Sequence, residues 1–213
     1  QPYRTIDVSS DGPVLHIRLN RPEARNAMTM AMVRELREVL REATGRGARV
    51  VVLRGTGGHF CAGADLQDLA AAQDRASQSD DRQRQVIPAA DPVADVDARF
   101  GELCVAYGAT GLAVVAVLEG KVVGAGFGLA CVADVAIASE DVQFRLPETS
   151  VGVVPAQVAP FLVERLGYAQ AKRLAVTGGA VGAAQALAIG LVHEVHAPDQ
   201  LDAALARVLA EIL

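Results

Sequence analysis

VLHIRLNRPEARNAMTMAMVRELREVLREATGRGARVVVL, running from Val14 to Leu53, sets the structural class of this 213-residue chain. Over its first six residues Leu15, Ile17 and Leu19 fall on one side and His16 and Arg18 on the other. That two-residue period is the mark of a half-buried strand. From Thr29 the period lengthens. Met32, Leu36, Val39, Leu40 and Ala43 share one helical face, with Arg34, Glu35, Arg37, Glu38, Arg41 and Glu42 opposite. Thr29 is the expected N-cap and Gly45 the expected stop. Val50-Val51-Val52-Leu53 is wholly apolar and mostly β-branched, as in a strand covered on both faces. Strand, helix and strand at this spacing form a βαβ unit with a parallel connection, so the chain is α/β.

Further strands are expected at Leu112–Leu118, Val135–Ala138 and Leu191–Val195. Phe100, Leu103, Cys104 and Tyr107 make a helical core stripe. Helices are expected over 159–166, 169–176, 183–189 and 201–213. Strands come early and helices late, with no solenoid repeat. Between them, Gln67 to Arg99 carries scattered charges, Pro88 and Pro92 and little periodicity. It reads as broken helix and mobile loop, a lid rather than core. Its charges nearly cancel and no aromatics are interleaved, so it reads as a solvated loop and not an RNA-binding surface.

The net charge of −5, from 20 basic and 25 acidic residues, speaks against nucleic acid or a membrane surface as partner. The longest apolar run, Leu112–Leu118, falls far short of the ~20 residues that span a bilayer. Cys61, Cys104 and Cys131 are scattered, without the spacing of a disulfide framework or zinc ribbon. No charged segment followed by an apolar one opens the chain, so a cytoplasmic location is expected.

Two glycine-rich turns leave buried strands: Gly55-Thr-Gly-Gly-His-Phe-Cys-Ala-Gly-Ala-Asp65 and Gly120-Lys-Val-Val-Gly-Ala-Gly-Phe-Gly-Leu-Ala130. Glycine lets backbone amides turn outward to a ligand, and a helix start adds aligned N–H dipoles. Two such donors would form an oxyanion hole, worth roughly 2.7–4 kcal/mol per donor. Gly124-Ala-Gly-Phe-Gly128 is G-x-G-x-G, not the dinucleotide G-x-G-x-x-G, and only about two helical turns fit before the next strand.

Four motifs in order resemble the enoyl-CoA hydratase/isomerase (crotonase) superfamily. They are Leu19-Asn-Arg-Pro-Glu-Ala-Arg-Asn-Ala-Met28, His59-Phe-Cys-Ala-Gly-Ala-Asp-Leu66, Val122-Val-Gly-Ala-Gly-Phe-Gly-Leu-Ala130 with Ala133-Asp134, and Phe144-Arg-Leu-Pro-Glu-Thr-Ser-Val-Gly152. Ala183-Ala-Gln-Ala-Leu-Ala-Ile-Gly-Leu-Val192 adds a fifth piece. The resemblance implies a crotonase-like ββα spiral with two roughly perpendicular sheets and a helical C-terminal region. Residues 1–155 would be the spiral core with the CoA site and 156–213 a trimerisation region, continued in the family by further helices beyond Leu213. It also implies a homotrimer or a dimer of trimers. The runs 118–138 and 146–161 look closest to hydratases of branched glutaconyl-CoA thioesters, the isohexenylglutaconyl-CoA and 3-methylglutaconyl-CoA hydratases.

Carried over residue by residue, the resemblance implies that the amides of Ala64 and Ala125 hold the thioester carbonyl of an acyl-CoA substrate. Ala62, Ala64, Asp65, Leu66 and Ala125 would line the coenzyme A side, and Arg25 would meet the nucleotide end. Coenzyme A enters as part of the substrate, with no covalently bound cofactor and no metal. Glu148 stands where the family has an acid–base carboxylate. Gly128 stands where it often has a second. Glu148 is therefore expected to act alone or with a partner from elsewhere, in an apolar pocket of Phe144, Leu146, Val151, Val153 and Val154 that raises its pKa. A Δ3-Δ2-enoyl-CoA isomerase, which needs one carboxylate, and a non-catalytic CoA-thioester binding protein are the alternatives.

Other residues carry plainer readings. Cys61 is a small buried filler and not a nucleophile. His193 and His196 lack zinc-site spacing. Asp134 caps or pairs structurally, and Asp65 doubles as an N-cap, which stabilises by roughly 1 kcal/mol. Lys121 lies in the second turn as a weak phosphate candidate.

Overall fold

The computed structural model describes residues 3–68, 70, 71, 74, 92–152 and 154–213, with backbone only at 92, 93 and 151. The large sheet holds β1 (Ile6–Asp11), β2 (Val14–Leu19), β3 (Val50–Gly55), β4 (Ala113–Leu118), β6 (Val135–Ser139) and β9 (Glu194–His196), in the order β1-β2-β3-β4-β6-β9. Only β1 and β2 pair antiparallel; the other neighbours run parallel, Val14 facing Val50 and Val50 facing Ala113. The second sheet is small: β5 (Lys121–Val123), β7 (Gln143–Arg145) and β8 (Val181–Gly182), in the order β5-β7-β8. The helices are α1 (Met30–Ala43), α2 (Pro92–Gly108), α3 (Ala125–Val132), α4 (Ala159–Thr177), α5 (Ala183–Ala188) and α6 (Leu201–Ile212). The expected α/β class, two sheets and helical C-terminal region are all present; residues 156–213 also contribute β8 and β9.

The βαβ unit forms as its pattern predicts. Thr29 Oγ1 accepts the Met32 amide at 3.1 Å and so caps α1, while Met32, Leu36, Val39, Leu40 and Ala43 are buried. The helix stop differs from expectation. The chain tightens through a 3-10 turn, Thr44–Arg46, and reverses at Gly47 (φ 78°) rather than at Gly45. The apolar β3 is covered on both faces. Val51 and Leu53 join the main core, whereas Val50 and Val52 pack with Val115, Val117 and Ile137 beneath Leu201, Ala204, Leu205 and Val208 of α6. Each such fully buried side chain stabilises by roughly 1.5–3 kcal/mol.

Two boundaries need correction. The stretch read as broken helix and loop up to Arg99 is regular helix from Pro92 onward, because proline at a helix start forfeits no hydrogen bond. The lid reading of 67–91 lies mostly outside the described residues. The last strand is 194–196, not 191–195, with Leu191 and Val192 buried just ahead of it. Gly167 (φ 74°) interrupts α4, so the two predicted helices meet there at a kink.

Candidate active site

Beyond β3 the chain enters the first glycine-rich turn, which pairs along the segment leading into α3. The Phe60 amide donates to the Glu119 carbonyl at 2.8 Å, Cys61 to Lys121 at 2.9 Å, and Val123 back to Cys61 at 2.9 Å. Cys61 thereby sits opposite Val122, and Ala64 and Ala125 each follow that pair by three residues. On its other edge the turn pairs with Met28, whose amide donates to the Gly63 carbonyl at 2.8 Å and whose carbonyl accepts from Asp65 at 3.0 Å. These bonds use the Gly63 carbonyl and the Asp65 amide, on either side of Ala64. Among the described residues, the amides of Ala64 and Ala125 donate to no backbone acceptor. Ala125 is the first residue of α3, where helical amides have no partner within the helix.

Glycine is needed where these segments meet. Gly63 (φ 97°) and Gly124 (φ 51°) occupy conformations that side chains rarely adopt. A Cβ on Gly124 would lie 3.3 Å from Glu148 Oε1 and 3.8 Å from Gly63 Cα. A Cβ on Gly126 would lie 2.6 Å from Cys61 Cβ. The first turn, the start of α3 and the Glu148 carboxylate therefore converge around Gly124, and the predicted trio Ala64, Ala125 and Glu148 belongs to one locale.

Glu148 opens a 3-10 turn, Glu148–Val151, directly after Pro147. Its Oε2 is buried and, among the described residues, has no hydrogen-bond partner. Burial pushes this carboxyl above its ordinary range; its own backbone amide partly offsets the rise, and the Asp97 carboxylate adds to it. Of the expected wall, Phe144 and Leu146 are buried, whereas Val154 is 71 % exposed, in the irregular segment before α4. The Val151 side chain and Val153 lie outside the described residues. Asp97, on half-buried ground in α2, carries a carboxyl that burial also raises. Its apparent surface charge in a polar stretch gave no sequence signal beyond its later place on the helical face of Phe100 and Cys104.

The residues expected on the coenzyme A side are less uniform. Ala62 and Ala64 are half-buried, and Leu66 is 80 % exposed. Arg25 is exposed with a left-handed backbone (φ 49°), and its carbonyl accepts the Ala62 amide at 3.0 Å. Asp65 is buried. It accepts the Gln67 amide at 2.9 Å, as an N-cap does, and pairs with Arg21 Nη1 at 2.9 Å. Burial pushes its carboxyl up, but Arg21 and the amide outweigh this and hold it below the ordinary value. Lys121 Nζ is hydrogen-bonded to the Gln143 side-chain oxygen.

The Cys61 thiol is buried and pushed up to about 11, which suits a filler. Asp134 accepts the Val114 amide at 2.7 Å and so pins the start of β4. His193 Nδ1 accepts the Ala136 amide at 2.9 Å, and His196 pairs with Glu194 at 2.7 Å. Among the described residues no group of three metal-ligating side chains occurs.

The family model described as enoyl-CoA hydratase/isomerase matches residues 10–213. The chain is 32 % identical over 194 residues to the 2,3-dehydroadipyl-CoA hydratase of Escherichia coli (strain K12), covering 90 % of this chain and 69 % of that protein. It superimposes on the solved structure of Pseudomonas aeruginosa AtuE with a TM-score of 0.89 at 44 % identity, covering 98 % of this chain and 77 % of that one. A Thermobifida fusca YX protein described as an enoyl-CoA hydratase, solved in complex with acetoacetyl-CoA, superimposes at 0.83 with 29 % identity over 98 % of this chain and 80 % of that one.

Proposed function

Because the chain belongs to the enoyl-CoA hydratase/isomerase family of enzymes, we propose that it adds water across the 2,3 double bond of an acyl-CoA thioester. In this reading the Ala64 and Ala125 amides receive the thioester oxygen. Glu148 takes a proton from water as the water oxygen bonds to C3. The π electrons move into the enolate, and C2 then recovers the proton from Glu148. Coenzyme A enters and leaves with the substrate, contacting Arg25, Ala62, Asp65 and Leu66. Resemblance of the runs 118–138 and 146–161 favours a branched glutaconyl group as the acyl part.

The observation that carries the reading is the orphaned Glu148 carboxylate lying against Gly124, beside two amides with no backbone acceptor among the described residues. A carboxyl raised by burial is a stronger base once ionised, and a positioned acid–base group contributes about 10²–10⁴-fold. The test is Glu148→Gln assayed on crotonyl-CoA and 3-methylglutaconyl-CoA. Turnover is expected to fall at least a hundredfold with thioester affinity nearly unchanged, and retained turnover removes Glu148 from the role.

One observation favours a second reading. A Cβ on Gly128 would lie 2.9 Å from Cys104 Sγ, so a second carboxylate has no room there. A Δ3-Δ2-enoyl-CoA isomerase moves one proton from C4 to C2 with one carboxylate. Conversion of 3-hexenoyl-CoA without mass change identifies the isomerase, mass gain of one water on 2-enoyl substrates the hydratase, and binding without turnover a thioester-binding protein.

A further inference from the structure

Among the described residues three buried side-chain atoms have no hydrogen-bond partner: Ser139 Oγ, Glu148 Oε2 and Arg165 Nε. Glu148 lies against Gly124 at the start of α3, and Arg165, carried by α4, meets the other end of the same helix. By its sequence α3 is a poor helix. Ala125–Val132 makes only about two turns, with Gly126 and Gly128 inside them and no charged residue. Glycine weakens a helix interior, and so short a helix is unstable on its own. Gly124 offers no side-chain cap, and Ala133 at the far end turns directly into extended backbone (φ −70°, ψ 136°). Packing holds α3 sideways, Cys61 filling the space beside Gly126 and Cys104 that beside Gly128. At the C-terminal end the last helical carbonyls point outward along the axis. There Arg165 Nη2 donates to the Ala133 carbonyl at 2.6 Å and to the Ala130 carbonyl at 3.3 Å. A positive charge thereby sits on the negative end of the helix dipole.

Arg165 is costly in this place. It is half-buried, its Nε is stranded, and it pairs with no carboxylate among the described residues. Burial draws its pKa down against the pull of Cys131 and Asp134, and the Asp134 carboxylate already accepts the Val114 amide at 2.7 Å. Taking a guanidinium out of water without a paired carboxylate costs stability, and an apolar side chain of similar length would fill the space more cheaply. We infer that Arg165 is a positioning residue for the thioester carbonyl: it anchors α3 along its axis, so that the Ala125 amide at the opposite end stays aimed at the carbonyl oxygen. The inference rests on the reading that this amide receives the thioester oxygen, and it holds for hydration and isomerisation alike. The helix is continuous between its ends, the Gly128 amide donating to the Gly124 carbonyl at 3.1 Å, so a slip at Ala133 is carried to Ala125. An oxyanion donor acts only at hydrogen-bonding distance from the developing charge, and a displacement of about 1 Å costs roughly a hundredfold.

The test uses the full chain, crotonyl-CoA, and butyryl-CoA isotopically labelled at its carbonyl carbon. Butyryl-CoA has no double bond to react, so isotope-edited infrared spectroscopy reads the polarisation of its bound carbonyl without turnover. Wild type should lower the carbonyl stretching frequency on binding. Arg165→Met is expected to lose about half of that shift, with Ala64 still donating, and to lower kcat on crotonyl-CoA about tenfold with KM little changed. Arg165→Lys, whose ammonium can donate to both carbonyls, should restore the shift and kcat. An arginine that merely steadies the fold would change the melting temperature in Arg165→Met and leave the shift at its wild-type value, which overturns the inference. Should Arg165→Met fail to fold, Arg165→Gln decides: a reduced shift supports the anchor, and a wild-type shift overturns it. No shift in wild type rejects Ala125 as a carbonyl donor and the inference with it, whereas a wild-type shift retained in Arg165→Met rejects the role of Arg165 alone. The expected infrared pattern without hydration of crotonyl-CoA by wild type rejects the hydratase reading and supports the anchor.

Discussion

Glu148, the acid–base group of the proposed reaction, is a buried carboxylate that works against stability. Its folded-state pKa lies above the unfolded value, with burial as the main cause. The protonated form is therefore the one the fold favours, and stability falls as pH rises from the ordinary carboxylate value through the raised one. Glu148→Gln is neutral throughout, so it should melt at a higher temperature than wild type at pH 7–8, and the difference should vanish below about pH 4. Higher melting together with lost turnover is the signature of a functional group; lower melting would mean that Glu148 holds the turn together. The neighbouring glycine is constrained from both sides. At φ 51° an alanine at Gly124 is strained, by about 1–2 kcal/mol, and its Cβ would press on Glu148 Oε1 at 3.3 Å. Gly124→Ala is expected to cut kcat at least tenfold and to lower the melting temperature, measured by steady-state kinetics and thermal denaturation.

Among the elements, the first glycine-rich turn is held by a residue that sequence periodicity does not flag. Asn26 is fully buried with a left-handed backbone (φ 57°). Its Oδ1 accepts the Arg21 amide at 2.8 Å, and its Nδ2 donates to the Thr56 and His59 carbonyls at 2.9 and 2.7 Å. Asn26→Ala strands all three groups and should cost about 2–3 kcal/mol, read as a lower denaturant midpoint, with KM for the thioester raised more than kcat is lowered. Periodic elements such as β2, α1, β3 and β4 were readable because their signal is local. β5, β7 and β8 span only two or three residues each, too few to show a period, and exist because their neighbours pair with them. β1 was hidden by its exposed Ser9, Ser10 and Asp11. The glycine turns and Glu148 stood out through motif resemblance. The start of α2 did not, because Pro88 and Pro92 made that stretch look like loop, although a proline at a helix start is compatible with a helix.

Across the molecule, the two cores lie on opposite faces of the large sheet, and the later part of the chain closes the second of them through α6. That leaves apolar surface elsewhere: Val105 of α2 is 56 % exposed, and Val163, Tyr168 and Val176 of α4 are 40, 67 and 69 % exposed. Single exposed apolar residues are ordinary, but several along one helix suit a surface that is covered in the working protein. We propose that copies of this chain cover it, in the homotrimer or dimer of trimers that the family resemblance implies. Light scattering of the purified chain should then give three or six times the monomer mass. Replacing Tyr168 and Val176 by glutamate places charge on that surface without touching a buried side chain, so the variant should remain folded by circular dichroism while its mass falls toward that of one chain. An unchanged mass in the double variant would exclude this face of α4 from the interface, and a monomeric wild type would remove the assembly altogether.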